Sequence, residues 1–154
     1  MPDLFTIGYE GRRIDDVITA LRAAGVTLLI DVRAIAASRK PGFSKRQLAA
    51  ALDAAGIAYV HLRGLGTPKA GRMAARAGRT AEMHEIFAAH MRTDPAQAAL
   101  AEARALRDAH AACLLCFEAD PGTCHRLLVA NALAEPGNRP IRHLFAVAPG
   151  FVHD

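Results

Sequence analysis

Aromatic residues and long apolar runs are both scarce in this chain. Aromatic residues make up 5% of the 154 residues and tryptophan is absent, whereas apolar residues make up 52%. An aliphatic core is therefore available, while recognition of single strands by base stacking is disfavoured. No apolar run approaches the roughly 18–20 residues that cross a bilayer, and Met1–Phe5 lacks the form of a signal peptide. We therefore expect a cytoplasmic protein with no membrane partner.

Cysteines are also few. Three cysteines, an odd number without an export signal, indicate reduced thiols rather than a disulfide framework. The length of 154 residues suits one domain and is short for two, so residues 1–154 are expected to form a single domain.

Acidic residues are nearly missing from the middle of the chain. Between Val32 and Ala81 the single acid is Asp53, while ten of the nineteen basic residues fall there. These are Arg33, Arg39, Lys40, Lys45, Arg46, Arg63, Lys69, Arg72, Arg76 and Arg79. Such a field attracts phosphate, nucleotide or nucleic acid. An arginine-rich solvated surface is the equally plain alternative.

Apolar segments alternate with segments of helical periodicity along the chain. Strands are predicted at Leu4–Ile7, Thr27–Val32, Ile57–Leu62, Ala112–Phe117 and Pro140–Val147. Helices are predicted from Ile14, from Ser44 as a capping residue, after Thr80, from Asp94-Pro95 and over Thr123–Ala134, while Arg63–Arg79 is expected to have little regular structure. This order predicts a three-layer α/β domain with a mainly parallel sheet of four to five strands and helices on both faces.

The predicted strands end beside polar or titratable residues. The ends of the first four strands carry Tyr9 and Glu10, Asp31 and Arg33, His61 and Arg63, and Cys116 and Glu118. Ligands bind at the carboxyl ends of parallel strands, so these ends are expected to share a cleft. Asp31 on a buried strand needs a partner, and Arg33 projects to the same face. We expect Asp31 to support Arg33 and Arg33 to face the ligand, with a purely internal ion pair as the alternative.

The segment with the most chemically reactive side chains is Cys116–Arg126, with the sequence CFEADPGTCHR. Cys113 and Cys116 resemble a CxxC motif, but residues three apart on a strand face opposite sides, so Cys113 is assigned to the core. Thr123 is predicted to cap a helix whose first turn holds Cys124, His125 and Arg126, where backbone N–H groups stabilise anions.

Three interpretations of this segment remain open. Cys124 is a thiolate nucleophile activated by its neighbours, or Cys116 and Cys124 hold a metal with His61 or His125, or Arg126 and the helix cradle a phosphate beside Glu118. The plain alternative is that both cysteines are small buried apolar residues.

An ordered set of motifs resembles the bacterial and archaeal family catalogued as domain of unknown function 488. The set comprises Thr6–Glu10, Asp31–Arg33, Ser38-Arg39, Phe43, Gly56-Ile57, Tyr59, Leu65-Gly66, Cys116–Glu118 and Cys124–Arg126. The resemblance runs from about Thr6 to Leu133. It implies that Asp31, Arg33, Ser38, Arg39, Glu118, Cys124, His125 and Arg126 are signature positions, and it supplies no reaction. The family pattern has a histidine-serine or similar pair where this chain has Tyr9-Glu10. Leu29–Arg33 is also similar to a rhodanese strand, but neither Cys116 nor Cys124 has the arginine spacing of the rhodanese active-site loop.

The leading hypothesis is a small enzyme acting on a phosphate-bearing ligand, a nucleotide or nucleic acid. Glu118, Cys124 and His125 are its catalytic residues; Arg33, Ser38, Arg39, Lys45 and Arg126 bind the ligand; Asp31, Tyr9, Glu10, His61 and Cys116 support the site. Alanine at Glu118 or Arg126 should abolish binding and leave the fold intact. No metal ligand, cofactor or oligomeric state is assigned. The rival is a non-catalytic nucleic-acid-binding or regulatory module.

Overall fold

A five-stranded parallel sheet forms the centre of the protein in a computed structural model that describes residues 3–146. The strands are β1 (Leu4–Gly8), β2 (Leu28–Asp31), β3 (Ala58–His61), β4 (Ala112–Cys116) and β5 (Ile141–Leu144). Their order across the sheet is β3-β2-β4-β1-β5, and every neighbouring pair is parallel. The prediction of a mainly parallel sheet with four to five strands is confirmed.

Six α-helices are present in residues 3–146. They are α1 (Ile14–Ala23), α2 (Lys45–Ala54), α3 (Lys69–Arg76), α4 (Thr80–Met91), α5 (Asp94–Ala109) and α6 (Arg126–Ala134). On one face, Val17 of α1 and Leu48 of α2 pack with Leu29 of β2 in one apolar cluster. On the other face, α4, α5 and α6 contribute Phe87, Leu100 and Val129 to a second cluster. Helices therefore lie on both faces of the sheet, as predicted. No helix in the range 3–146 has the length and apolar character needed to traverse a membrane.

The central strands are uniformly buried, and the edge strand β3 is partly exposed. β1, β2 and β4 read as continuous apolar runs because both of their faces are covered by helices. The last strand is shorter than predicted, at Ile141–Leu144, and Val147 of the predicted range lies outside the described residues.

The structure differs from prediction in the basic stretch Arg63–Arg79. A short 3-10 helix (Arg63–Leu65) and α3 replace the expected irregular loop. Glycine is typical of loops, yet Gly71 lies inside α3. A Cβ at this position would come within 2.3 Å of the Thr67 side chain. The glycine thus allows α3 to pack closely against Thr67. Ala74, one turn further along the helix, is also small and buried.

The helix after the CFEADPGTCHR segment also begins later than predicted. Pro121–Thr123 form a 3-10 turn in which the Asp120 side chain accepts the N–H of Gly122 at 2.8 Å. Cys124 is extended, with φ −119° and ψ 144°, and α6 starts only at Arg126. Cys124 and His125 therefore precede the helix, and the expected activation of Cys124 in its first turn does not apply.

Candidate functional site

A cleft of about 740 Å³ lies at the carboxyl ends of the central strands, and we call it the strand-end cleft. It is lined by Tyr9, Glu10, Arg33, Ala34, Ile35, Ala37, Thr67, Arg72, Ala75, Arg76, Met83, Cys116, Phe117, Glu118, Thr123 and His125. The ends of β1, β2 and β4 thus meet, as predicted from their polar residues. The end of the edge strand β3 stays outside, and His61 instead places Nε2 2.7 Å from the Arg33 carbonyl oxygen.

A buried ion pair forms one wall of the cleft. Asp31 Oδ1 accepts from Arg33 Nε at 2.9 Å, and Oδ2 accepts from Arg33 Nη2 at 2.7 Å and from the Tyr59 hydroxyl at 2.6 Å. Arg33 Nη1 donates to the Tyr9 hydroxyl at 3.1 Å and to the Phe43 carbonyl at 2.8 Å. The guanidinium lines the cleft, but most of its donors already bind protein acceptors.

Burial and the charge of Asp31 determine the protonation states of Arg33 and Tyr59. Burial opposes the charge on Arg33, but the hydrogen bonds and negative charge of Asp31 outweigh it and raise the pKa of the guanidinium. Burial and the hydrogen bond to Asp31 both raise the pKa of the Tyr59 hydroxyl. Arg33 therefore stays charged and Tyr59 stays neutral at physiological pH.

Arg126 is buried rather than directed at the cleft. Its side chain is 0% exposed, and its donors bind the Thr6 hydroxyl at 3.2 Å, the Ala119 carbonyl at 3.2 Å and the Glu118 carbonyl. Gly8 permits this arrangement, because a Cβ there would lie 1.8 Å from the Glu118 carbonyl oxygen. Arg126 thus fixes the turn that carries Glu118, and the expected direct contact with an anion is not supported by its position.

Three other residues expected to bind the ligand do not line the cleft. Ser38 Oγ accepts from the Lys40 backbone at 3.1 Å, and the Ser44 hydroxyl donates to the Ser38 carbonyl at 3.1 Å. The side chains of Arg39 and Lys45 are exposed in the same region. Ser38 and Arg39 lie in the segment that connects β2 to α2, and Lys45 is the first residue of α2.

Cys116, Cys124 and His125 form a compact buried group at the inner wall of the cleft. His125 Nδ1 lies 3.5 Å from Cys116 Sγ and 3.8 Å from Cys124 Sγ. His125 Nε2 lies 2.7 Å from the Val32 carbonyl oxygen. Cys116 Sγ also contacts Glu118 Oε2 at 3.4 Å. Cys113 is buried in the cluster on the opposite face of the sheet, which confirms its assignment to the core.

Burial keeps the thiols of Cys124 and Cys113 protonated. Burial is the main cause that raises the pKa of Cys124 well above its ordinary value, and the neighbouring Cys116 adds to the effect. Burial also raises the pKa of Cys113. For His125, burial opposes the charged form, while contacts with Cys124, the Val32 carbonyl and Glu118 favour it and raise the pKa. Cys124 is thus a buried thiol, a poor starting point for a free thiolate nucleophile.

Two arginines that line the cleft were not among the site residues predicted from the sequence. Arg72 and Arg76 of α3 line the cleft together with Thr67, and Arg72 Nη1 donates to the Thr67 carbonyl at 2.8 Å. Arg76 forms no ion pair within residues 3–146. Their separation of four residues places both on one helical face, and this spacing was the available signal.

The rim of the cleft carries exposed apolar side chains. Ile35 is 58% exposed and Phe117 is 45% exposed. The Phe117 ring packs edge-on against Tyr9, with centroids 5.4 Å apart and an interplanar angle of 80°. The ring is thereby oriented, and its exposed part is available to a flat apolar group.

Fold and site together define a parallel α/β domain with a strand-end cleft. Arginine side chains line the cleft together with thiol, imidazole and carboxylate groups. The family model described as "Domain of unknown function DUF488" matches residues 13–133, and the chain belongs to this family. No curated protein and no solved structure matches the chain.

Proposed function

We propose that this chain is a small enzyme that binds a phosphate-bearing small molecule in the strand-end cleft and uses Glu118 for proton transfer. The observation that carries the proposal is that Arg72, Arg76 and Glu118 line the same cleft. A guanidinium pair suits a phosphate, because each group offers several donors in a planar fork. A concave site strengthens this attraction by limiting the access of water.

The size and the rim of the cleft favour a nucleotide-like ligand. The volume of about 740 Å³ falls within the range of small-molecule sites. A phosphate near Arg76 would leave the flat apolar part of such a ligand to contact Ile35 and Phe117 at the rim. Large exposed apolar side chains at a cleft are typical of binding surfaces.

Glu118 is the best-placed proton acceptor. Its side chain is partly exposed and lines the cleft, whereas its backbone is fixed by Arg126. A carboxylate held in this way can accept a proton from a water molecule or hydroxyl group that attacks the ligand. Glu10 also lines the cleft, but its Oε1 accepts from the Ala119 backbone at 3.1 Å, which gives it a supporting role.

Turnover of phosphate esters by matched variants tests this proposal. The unaltered chain, Glu118→Gln and Glu10→Gln would be incubated with nucleoside mono- and diphosphates, and products followed by chromatography. Loss of the proton acceptor should slow turnover by about 10²–10⁴-fold in Glu118→Gln while binding is retained. Glu10→Gln removes the same charge from the same cleft and should keep its turnover within a few-fold. Full activity of Glu118→Gln would refute the role.

The rival, a nucleic-acid-binding module, rests on exposed basic side chains outside the cleft. Arg39, Lys45 and Arg46 are exposed around the start of α2. Such a module would lose affinity steeply with added salt, and it would weaken when Arg46 becomes glutamine. A small-molecule cleft would be insensitive to that substitution, so Arg46→Gln distinguishes the two functions.

A further inference from the structure

We propose that Cys116, Cys124 and His125 form a binding site for a divalent zinc-like cation at the inner wall of the cleft. Their ligating atoms lie within 4.8 Å of one another, and all three residues are buried. They come from the end of β4 and from the residues just before α6. The proposal goes beyond ligand binding by the arginines and does not depend on it.

The distances between the donor atoms fit tetrahedral coordination. Zinc binds sulfur at about 2.3 Å and imidazole nitrogen at about 2.0–2.1 Å, so a tetrahedral angle places the two donors about 3.6 Å apart. In this protein His125 Nδ1 lies 3.5 Å from one sulfur and 3.8 Å from the other. An ion would therefore need only small side-chain adjustments. Ordinary packing of buried cysteines does not require both sulfurs to converge on one ring nitrogen.

The imidazole is oriented as a ligand. The Val32 carbonyl can only accept a hydrogen bond, so the contact of 2.7 Å places a proton on His125 Nε2. The lone pair of the neutral ring then lies on Nδ1 and faces the two sulfurs. Metal-binding histidines have this arrangement, with the second nitrogen donating to a carbonyl or carboxylate. Phe87 packs edge-on against the ring at 5.1 Å and restricts its rotation.

Charge balance favours a cation at this position. On binding, the Cys116 and Cys124 thiols would each release a proton to solvent, and the two thiolates would neutralise the charge of a divalent ion. Neutral imidazole adds no charge, so the buried group would be neutral overall. Thiolate and imidazole ligands together select zinc over magnesium or calcium.

The fourth ligand position faces the cleft. Cys116 and His125 line the cleft, and Cys124 lies behind them with 1% exposure. Glu118 Oε2 lies 3.4 Å from Cys116 Sγ but does not belong to the group of mutually close donor atoms, so the position stays open to a ligand from the cleft. Three protein ligands with a further position open to a cleft are typical of catalytic rather than structural zinc sites.

Cobalt binding to the full-length chain tests this site directly. Reduced protein would be treated with a chelator, desalted and titrated with Co²⁺, a spectroscopic substitute for zinc. The expected result is one ion per chain, with a thiolate-to-cobalt charge-transfer band and the visible bands of tetrahedral cobalt. Zn²⁺ should then displace the cobalt. This spectrum comes from the unaltered chain, so it requires no substitution to fold.

Single cysteine variants supply the matched controls. Cys116→Ser and Cys124→Ser each remove a ligand and should weaken zinc binding by more than the about 10–100-fold that loss of a hydrogen-bond partner of a ligand costs. Cys113→Ser removes a buried thiol from the opposite face and should bind as the unaltered chain does. Absence of the charge-transfer band in the unaltered chain would overturn the site, as would a Cys116–Cys124 disulfide with no metal binding. Undiminished binding by either serine variant would do the same. Arg72→Gln/Arg76→Gln should bind cobalt normally, which separates this test from that of the proposed function.

Discussion

Asp31 holds two sides of the Arg33 guanidinium, with Oδ1 2.9 Å from Nε and Oδ2 2.7 Å from Nη2. The carboxylate is fully buried and Arg33 is 5% exposed. Because Arg33 also binds the Phe43 carbonyl, the pair joins the end of β2 to the segment that leads into α2. The ion pair thus shapes one wall of the strand-end cleft.

Removing the charge of Asp31 should be strongly destabilising. Asp31→Asn leaves the Arg33 charge buried without a counter-ion, so the free energy of unfolding should fall by about 3–5 kcal/mol. Tyr59→Phe removes one hydrogen bond to the same carboxylate and should cost about 1 kcal/mol. Urea denaturation of the two variants measures both values. A loss in Asp31→Asn no larger than in Tyr59→Phe would show that the pair is energetically unimportant.

A side chain at position 8 should displace the turn that carries Glu118. In Gly8→Ala the Cβ would lie 1.8 Å from the Glu118 carbonyl oxygen and 3.0 Å from Arg126 Nη1. Backbone must move, and we expect a loss of at least about 2 kcal/mol in the free energy of unfolding. Gly122→Ala is the control, because its Cβ would meet only the Asp120 side chain, at 3.3 Å. Equal stability of the two variants in urea denaturation would argue against this close contact.

Alanine variants should show that Arg126 has a structural role and that Glu118 has a functional one. Arg126→Ala leaves the Thr6 hydroxyl and the Glu118 and Ala119 carbonyls without their donor and creates a cavity, so we expect a loss of at least about 3 kcal/mol. This differs from the expectation that the sequence alone supports, in which both alanine variants keep the fold. Glu118→Ala should change stability by less than about 1 kcal/mol, because its side chain faces the cleft. Thermal and urea denaturation measure the stability of both variants. An equal loss in Arg126→Ala and Glu118→Ala would contradict these different roles.

Stability should decline in mildly acidic solution because of His143. The Thr6 hydroxyl accepts from Arg126 Nε and lies 2.6 Å from His143 Nδ1, to which it can donate. Burial and the charge of Arg126 lower the pKa of His143 from its ordinary value of 6.5. The unfolded chain therefore binds this proton first as the pH falls, so stability is unaffected above pH 6.5 and decreases below it.

Melting temperatures across this pH range provide the measurement for His143. His143→Gln keeps an acceptor for the Thr6 hydroxyl and should flatten the decline below the ordinary histidine pKa. His110→Gln, at an exposed position after α5, should leave the decline unchanged. Identical pH profiles for the unaltered chain and His143→Gln would exclude this histidine as the cause.

The sheet could be predicted from sequence because its central strands are continuous apolar runs. Predicted strands at Leu4–Ile7 and Ala112–Phe117 differ from the observed β1 and β4 by one residue at the carboxyl end. The helix α3 was missed because Gly71 and a series of basic residues are typical of a loop. Only the tertiary contact between Gly71 and Thr67 explains why a glycine belongs there.

Several residues of the Cys116–Arg126 segment line the strand-end cleft, but the roles expected of them depend on tertiary structure. The convergence of Cys116 and His125 requires the turn at Asp120 and the 3-10 helix that follows, and no periodicity in the sequence reports it. Arg126 is of a residue type that often binds anionic ligands, yet the Glu118 and Ala119 carbonyls, in the turn before α6, take its donors. Arginine is rarely buried, so sequence favours an exposed role until the acceptors are known.

Calorimetric titration of nucleoside monophosphates and pyrophosphate into three forms of the protein tests most directly whether the cleft binds phosphate. The unaltered chain should bind one ligand per chain, and Arg72→Gln/Arg76→Gln should weaken that binding by at least about tenfold, since each charge-assisted hydrogen bond contributes about 1.5–3 kcal/mol. Arg46→Gln removes a positive charge from the same basic stretch outside the cleft and should bind within a few-fold of the unaltered chain. Undiminished binding by the double variant, or an equal loss in Arg46→Gln, would contradict a phosphate site between Arg72, Arg76 and Glu118.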